Sequence, residues 1–365
     1  MKLVSRYLLR HMSRPWFYII AGFFIIAILV DLFDNFVDFM EAGTSIHTVV
    51  LYYAILLPTY LPYMLPISLL LALLYALWHL GKNSELTAMR ASGLSLTQLI
   101  TPYLLTGLIA AFFLLAVNEL FNPWAMHWTR QFKAMQGSKR VAQTHLAINL
   151  AYKNVLGRRI WRINSFDTRP SASFEMLGIN LTQQRPDGSD EFRMDAARAR
   201  WMDGHWWFEN AETRYYDSQN DPDGPVTNAP SLEMTMLSET PKDFMNEIKD
   251  SSERSATEIL KFIRDHKGIS EETRNRLMVD FHYRLAAPWL CFIVILVGVP
   301  FGTHTGRRGM GIGILLALLT FFAYYILMGL GLAWGKNQFI SPIMAGWAPG
   351  MIFFMLGLIL LRRIR

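Results

Sequence analysis

The chain has 365 residues, of which 52% are hydrophobic and 18% are charged, with 24 Phe and 11 Trp. Together with a positive mean hydropathy, this composition lies outside the usual soluble range and indicates a polytopic membrane protein. The net charge of +6 does not indicate nucleic-acid binding, because much of the basic excess lies beside apolar runs, as the positive-inside rule describes. The single cysteine, Cys291, excludes an intramolecular disulfide and is expected to be a free, packed thiol.

The first apolar run follows a series of spaced basic residues. It extends over residues 15–30 and continues amphipathically to Met40, which is long for the apolar part of a signal peptide. No small-x-small cleavage pattern precedes Asp31. We therefore expect a membrane span here rather than a cleaved leader. The basic residues before it are Lys2, Arg6, Arg10 and Arg14.

Six apolar stretches are each long enough to cross a bilayer as a helix, which requires about 20 residues. They are 15–36, 58–80, 96–120, 281–300, 309–334 and 342–361. An even number of spans places both termini on one side of the membrane. Most basic residues beside the spans fall on that same side, so it is predicted to be cytoplasmic, in a bacterial inner membrane. These residues are the four named above with Lys82, Arg90, Arg307, Arg308, Arg362, Arg363 and Arg365.

The polar region between the third and fourth spans alternates with the period of two that is typical of strands. Its clearest hairpin pairs residues 198–202 with 206–209 through Asp203-Gly204. We predict an antiparallel β-sandwich or jelly roll on the periplasmic side. The period becomes helical from Ser255 to His266, which predicts a connecting helix that leads back to the membrane.

These patterns divide the chain into four parts. The two transmembrane parts hold three helices each, and the β domain with its connecting segment is inserted between them. The predicted boundaries are 1–121 for the first three spans, with a surface helix at 81–95, then 122–254 for the β domain, 255–280 for the connecting segment and 281–365 for the last three spans.

Three prolines, Pro58, Pro62 and Pro66, recur every four residues at the start of the second span. Each removes a backbone donor and favours a bend, so a kinked or unwound start is expected.

Sequence signatures of catalysis and cofactor binding are absent. Gly81-Lys82 and Gly335-Lys336 each lack the earlier glycine and the following Ser or Thr of a phosphate-binding loop. The chain contains no His-Glu-x-x-His, no cysteine pair and no Gly-x-Ser-x-Gly. We therefore predict that the protein is not itself an enzyme and holds no cofactor.

Asp31, Asp34 and Asp38 are spaced by three and four residues, so a helix places them on one side of the outer end of the first span. One interpretation is that the helix has left the hydrocarbon and the carboxylates are solvated. The other is that they line a hydrophilic opening for a polar-headed substrate, or bind a proton or cation in an ion-coupled transporter.

A polar segment, 81–93, lies between the second and third spans and is predicted to form a helix at the membrane surface. Ser84 is placed to cap its start, and Gly93 to end it in a left-handed turn. Glu85 and Arg90 suit the two ends of the helix dipole. The segment is either a generic loop or a coupling helix, in which Leu86, Met89 and Leu94 would supply apolar contacts to an external motor.

The sequence resembles the YjgP/YjgQ family, the LptF and LptG permeases that export lipopolysaccharide. The similarity covers nearly the whole chain and is closer to the LptG half. It rests on the order and spacing of several short segments rather than on any one of them. These are Phe36-Val37-Asp38, Ala42-Gly43, Leu57-Pro58, Leu65-Pro66, the segment from Ser84 to Gly93, the segment from His282 to Pro288, Val299-Pro300-Phe301 and Arg307-Arg308-Gly309.

The resemblance implies half of an ABC transporter. A second six-span chain, LptF or LptG, would complete the membrane part, and two copies of the LptB ATPase would bind ATP and Mg²⁺ at the cytoplasmic face. Lipopolysaccharide would leave the outer leaflet of the inner membrane and pass over the β domain towards LptC and LptA. Spans one and five would border the lateral gate. The residues expected to couple to the ATPase are Ser84, Glu85, Leu86, Met89 and Arg90, with Glu85 as the anchor.

Two departures from the family pattern affect this reading. Lysines that suit lipid A phosphates are replaced near the outer end of span one by Asn35, Met40 and Glu41, and Arg284 stands where the family usually has Lys. Basic residues beyond span three are candidates to contact the substrate instead, although a solvated face also explains them: Arg130, Lys133, Lys139 and Arg140. An ion-coupled transporter and a non-transporting envelope-assembly scaffold remain alternative functions.

Overall fold

In the computed structural model, the chain is described over residues 2–136, 146–167, 174–248, 254–265, 269, 271–304 and 310–363. Two compact units are present. The first comprises Met1–Thr129, Arg254–Leu260 and Asn275–Arg365, and the second comprises Arg130–Glu253 and Lys261–Arg274. Lys139, Arg140, Arg307, Arg308 and Arg365 lie outside the described residues.

The described residues before the sheet, 2–136, are mainly helical. A 3-10 turn, Leu57–Tyr60, separates α2 from α3 and contains Pro58, so the predicted irregular start of the second span is confirmed. The third span contains a π-helical segment at Val117–Phe121. The helices are α1 (Lys2–Glu41), α2 (Ile46–Leu56), α3 (Leu61–Lys82), α4 (Glu85–Ala91), α5 (Leu96–Ala116) and α6 (Asn122–Gln136).

Six strands are present in the described part of the chain that follows, and they form one antiparallel sheet in which each strand pairs with the next, in the order β1 to β6. The hairpin at Asp203-Gly204 is confirmed: Met202 pairs with His205, and both central residues have positive φ, 54° and 82°, as in a type I′ turn. The strands are β1 (Leu146–Asn154), β2 (Arg159–Asp167), β3 (Glu175–Gln184), β4 (Asp190–Met202), β5 (His205–Tyr215) and β6 (Thr227–Met234).

The sheet packs its apolar face on a short helix, α7 (Pro241–Ile248). Phe244 of α7 is fully buried and contacts Trp161 and Trp206, with ring centroids 5.1 and 5.8 Å apart. The inserted antiparallel β domain is confirmed. A sandwich or jelly roll would have two facing sheets, whereas the described strands form a single sheet in which each strand pairs with the next, and Phe244 of a helix covers its apolar face.

A helix, α8 (Ala256–Asp265), forms where the sequence has its helical period, and its role as a connecting helix stays a prediction. A 3-10 turn, Ala287–Trp289, follows α9. Cys291, at the start of α10, is fully buried and free, as expected. The helices are α8 (Ala256–Asp265), α9 (Glu271–Ala286), α10 (Leu290–His304), α11 (Met310–Lys336) and α12 (Pro342–Arg362).

Six helical stretches of the described chain are long and apolar enough to cross a membrane, which confirms the predicted number. Helix α3 lies at the centre of the core, with Leu73 and Leu77 almost completely buried. Helices α5 and α10 approach closely at Gly107, where an added Cβ would lie 2.9 Å from the carbonyl oxygen of Cys291. The spans are Leu3–Glu41, Ile46–Lys82, Leu96–Lys133, Glu271–Thr303, Gly311–Lys336 and Pro342–Arg362.

Candidate functional site

The short helix α4 lies between the second and third spans. Its end is formed as predicted: Gly93 has φ of 91°, and the N–H groups of Gly93 and Leu94 donate to the carbonyl oxygens of Arg90 and Met89 at 3.1 and 3.3 Å. The prediction that Ser84 caps the start through its side chain is wrong. Ser84 adopts a left-handed conformation with φ of 56°, and its hydroxyl makes no capping bond, because the chain reverses there between α3 and α4.

The two faces of α4 differ in exposure. Leu86 and Met89 are half-buried and pack against the core of the helical unit, as Leu94 does just beyond the helix. Ser84 and Arg90 are exposed. The apolar residues proposed for a partner's groove therefore already have contacts within the chain, and the exposed residues of α4 are small or polar: Thr87, Ala88, Arg90 and Ala91.

Glu85 is held by a residue far away in the sequence. The hydroxyl of Tyr7, on α1, donates a hydrogen bond of 2.6 Å to Oε2 of Glu85, and the amide of Asn83 donates one of 3.3 Å to Oε1. The bond from Tyr7 lowers the pKa of the Glu85 carboxyl below its ordinary value, and Asn83 and the nearby His11 and His79 act in the same direction. Glu85 is thus a fixed carboxylate at neutral pH.

An open cavity of about 340 Å³ separates the first turns of α1 from α4. Leu3, Val4 and Tyr7 form one wall, and Glu85, Ala88 and Met89 form the other. This concave surface presents a carboxylate beside apolar side chains, which suits a protruding side chain of a partner protein. Sequence reasoning missed the wall formed by α1. The amphipathic pattern of the first residues was its only signal in the sequence, and this pattern does not show that α1 meets α4.

Four rings connect this region to α3. The centroids of Tyr7 and His11 lie 4.4 Å apart, those of His11 and His79 5.4 Å, and those of His79 and Tyr75 6.2 Å. Glu85 therefore stands at one end of a chain of contacts that joins α4, α1 and α3.

The three aspartates on α1 do not share one environment. Asp31 is buried, with 8% of its surface exposed, and accepts a hydrogen bond of 3.0 Å from the hydroxyl of Tyr52 on α2. Asp34 and Asp38 are exposed. Asp31 therefore forms an internal contact between two helices, and the solvated interpretation of the exposed Asp34 and Asp38 stays a prediction.

The basic candidates beyond span three, Arg130 and Lys133, are exposed on α6 and have polar or electrostatic partners within the chain. They belong to the second compact unit, and Asp31, Asp34 and Asp38 to the first.

A second polar cluster, missed by sequence reasoning, ties helices of the first unit together. Glu119, in the π-helical segment, accepts hydrogen bonds from the backbone N–H groups of Ala256 and Thr257, both at 2.9 Å, and from the Thr257 hydroxyl at 2.6 Å. Lys336 and Asp280 form an ion pair of 2.8 Å. A carboxylate at the first turn of a helix is favoured by the helix dipole, so Glu119 fixes the start of α8 to the third span.

A large apolar cavity of about 940 Å³ lies among α1, α3 and α5. Trp16 and Phe24 of α1 line it, with Leu65 of α3 and Phe113 of α5. Only 6% of the most apolar window of α1 is buried within the chain. Helix α1 therefore offers most of its apolar surface to lipid or to another protein.

Six candidate spans in the described chain, interrupted by an inserted antiparallel sheet, define a multi-pass α-helical membrane protein. The family described as lipopolysaccharide export system permease LptF/LptG matches residues 6–363, and the chain belongs to that family. The match does not separate the LptF half from the LptG half, so the closer resemblance to LptG stays a prediction. No curated protein matches the chain.

Family membership assigns the protein to lipopolysaccharide transport, as a membrane permease of the Lpt transport complex. The fold agrees with this assignment, since the family consists of membrane subunits.

Proposed function

We propose that this chain is one half of the membrane part of an ABC transporter, which extracts lipopolysaccharide from the inner membrane and is driven by a separate LptB-type ATPase dimer. A second six-span permease, LptF or LptG, completes the membrane part. The chain itself holds no nucleotide, and the ATP and Mg²⁺ are bound by the ATPase. The single observation that carries the proposal is the concave surface between α1 and α4, in which Glu85 is held as a carboxylate.

The mechanism is a shift between two conformational states. Nucleotide-driven closure of the ATPase dimer moves α4, and α4 connects directly to α3 and α5, which are parts of two spans. The apolar surface of α1 and that of α11 then border a lateral gate with the second permease. Closing the membrane cavity expels the lipid towards the β domain, which passes it to LptC and LptA.

The orientation that fits this mechanism places α4 and both termini in the cytoplasm and the β domain in the periplasm. Its support is the concentration of basic residues at the end of α1 that bears Arg10 and Arg14, opposite the end that bears Asp34 and Asp38.

Labelling of single cysteines tests the orientation. In a Cys291→Ser background, a membrane-impermeant maleimide should label Asp223→Cys in the β domain from the periplasm and Ser84→Cys only after the inner membrane is opened. Labelling of Ser84→Cys in intact cells would contradict it.

The ion-coupled alternative receives no support from the acidic residues of α1, because Asp31 is buried against Tyr52 while Asp34 and Asp38 are exposed. No observation favours the scaffold alternative.

The decisive experiment reverses the charge of Glu85. Glu85→Lys should reduce co-purification of the ATPase subunit by roughly tenfold or more, since a central anchor residue contributes on that scale. Glu212→Lys, an equal change at an exposed position on β5, is the control and should leave co-purification unchanged. Unaltered ATPase binding and lipid release in Glu85→Lys would refute the proposed role.

A further inference from the structure

A third cavity lies on the other side of α1 from the large apolar one. Its volume is about 760 Å³, and it lies between the first part of α1 and the last turns of α3. Arg10, His11 and Arg14 of α1 and His79 of α3 give it a basic lining.

The two arginines are available to a ligand. Arg10 and Arg14 are exposed and one helical turn apart, so both guanidinium groups lie on the same side of α1. Neither of them forms an ion pair or a side-chain hydrogen bond with any residue that the structure describes. The carboxylate of Glu85, which is close to His11 and His79, is already engaged by Tyr7 and Asn83.

The position along α1 corresponds to the surface of a bilayer. Arg10 and Asp31 are about 30 Å apart along the helix axis, at about 1.5 Å per residue, which is close to the thickness of the hydrocarbon core. If the buried Asp31 marks one edge of the hydrocarbon, Arg10 and Arg14 lie at the level of the lipid phosphates on the opposite side.

The rest of the cavity is apolar in the direction of the membrane interior. Pro15, Tyr18 and Ile19 continue the lining along α1, and Tyr75 of α3 faces them. The order from surface to interior is thus two guanidinium groups, then aromatic and aliphatic side chains. An amphiphile with a phosphate at one end and an acyl chain at the other has the same order.

We propose that this cavity binds an anionic phospholipid, with its phosphate between Arg10 and Arg14 and its first acyl chain along Tyr18, Ile19 and Tyr75. Guanidinium groups pair with phosphate oxygens through two parallel hydrogen bonds, which makes arginine well suited to this contact. A free phosphate ion has the same headgroup chemistry but no use for the apolar wall. The site is separate from the surface between α1 and α4, although Tyr7 lines both cavities.

The proposal predicts a measurable preference. The full chain in a mild detergent is titrated with short-chain phosphatidylglycerol or short-chain phosphatidylcholine, and bound lipid is counted by native mass spectrometry. Phosphatidylglycerol should bind more tightly. Arg10→Gln combined with Arg14→Gln should weaken its binding by roughly 25-fold, at about fivefold for each basic side chain near a charged lipid surface.

A matched pair controls for net charge. Arg362→Gln combined with Arg363→Gln removes the same charge from the end of α12 and should change binding by less than about twofold. The midpoint of thermal unfolding without added lipid should be equal in both double variants. This equality shows that the chain with Arg10→Gln and Arg14→Gln is folded.

Two results would overturn the proposal. Equal weakening in both double variants would mean that the arginines act only through general surface charge. If inorganic phosphate and glycerol phosphate, the soluble headgroup, each occupy the cavity at the same concentration as short-chain phosphatidylglycerol does, the acyl chain adds nothing and the cavity binds anions without binding lipid.

Discussion

Tyr7 and Glu85 are 78 positions apart in the sequence, yet the hydroxyl of one lies 2.6 Å from the carboxylate of the other. The contact joins the first turns of α1 to α4. Any movement of α4 therefore either carries the start of α1 with it or breaks this bond. The two outcomes differ in whether the concave surface between α1 and α4 moves as one piece.

Tyr7→Phe tests this relationship. The substitution removes the hydroxyl donor and keeps the ring contact with His11, so unfolding stability should fall by less than about 1 kcal/mol, because solvent replaces the bond at an exposed site. If the proposed function holds, ATP hydrolysis should be coupled more weakly to lipid release, measured in proteoliposomes that contain this chain with the proposed second permease and ATPase. Tyr63→Phe, at another exposed tyrosine, is the control. Normal coupling in Tyr7→Phe would show that the bond is dispensable.

The hydrogen bond between Tyr7 and Glu85 should make the stability of the contact between α1 and α4 depend on pH in a defined direction. The pKa of Glu85 is lowered in the folded chain, so the contact contributes fully above the ordinary value of about 4.5 and is lost as pH falls through the lowered value. In Tyr7→Phe the carboxylate should protonate at a higher pH than in the unmodified chain. A fluorescent probe at Ser84→Cys in a Cys291→Ser background, titrated from neutral to acidic pH, should report this shift. An identical titration in both chains would contradict the assignment.

Local patterns in the sequence predicted the elements well. The pattern of hydrophobic residues predicted the six spans, and Asp203-Gly204 predicted the hairpin. Both predictions succeeded because each signal lies within a few residues of the structure that it specifies. The Ser84 cap was predicted from residue type, but the tight reversal after α3 places that residue in a left-handed conformation.

Contacts between distant segments were not predictable in the same way. Helical spacing placed Asp31 on one side of α1 with Asp34 and Asp38, but its burial depends on Tyr52 from the next helix. The α1 wall of the concave surface between α1 and α4 likewise depends on a long-range contact, the hydrogen bond from Tyr7 to Glu85. The cover of the sheet by Phe244 depends on where α7 docks, which no periodicity in β1 to β6 encodes.

Asp31 should contribute more to the free energy of unfolding than its neighbours Asp34 and Asp38. Tyr52→Phe removes a buried hydrogen-bond donor from Asp31 and should lower the free energy of unfolding by about 1–3 kcal/mol. Asp34→Asn and Asp38→Asn change exposed side chains and should alter it by less than about 0.5 kcal/mol. Denaturant titration of the detergent-solubilised chain measures all three. Equal effects would contradict the separation of Asp31 from its neighbours.

Glu119 should stabilise the start of α8. Glu119→Gln keeps the size of the side chain and removes its charge, which weakens three hydrogen bonds from Ala256 and Thr257. We expect a loss of about 1–2 kcal/mol, together with faster hydrogen exchange of the two backbone amides. Glu212→Gln on the exposed side of β5 is the control and should leave exchange at α8 unchanged. Unchanged protection in Glu119→Gln would mean that the helix start is held by other contacts.

Gly107 should be intolerant of even one methyl group. Its added Cβ would lie 2.9 Å from the carbonyl oxygen of Cys291 and 3.0 Å from the Cδ1 atom of Ile295, so Gly107→Ala must push α5 away from α10. We expect a loss of about 1–3 kcal/mol of unfolding free energy, the usual effect of overpacking. Gly22→Ala on α1 is the matched control, because no atom lies within 4 Å of its added Cβ, and it should be neutral or slightly stabilising. Thermal unfolding in detergent distinguishes the two. If both variants unfold at the same temperature, the close approach of α5 and α10 does not limit stability.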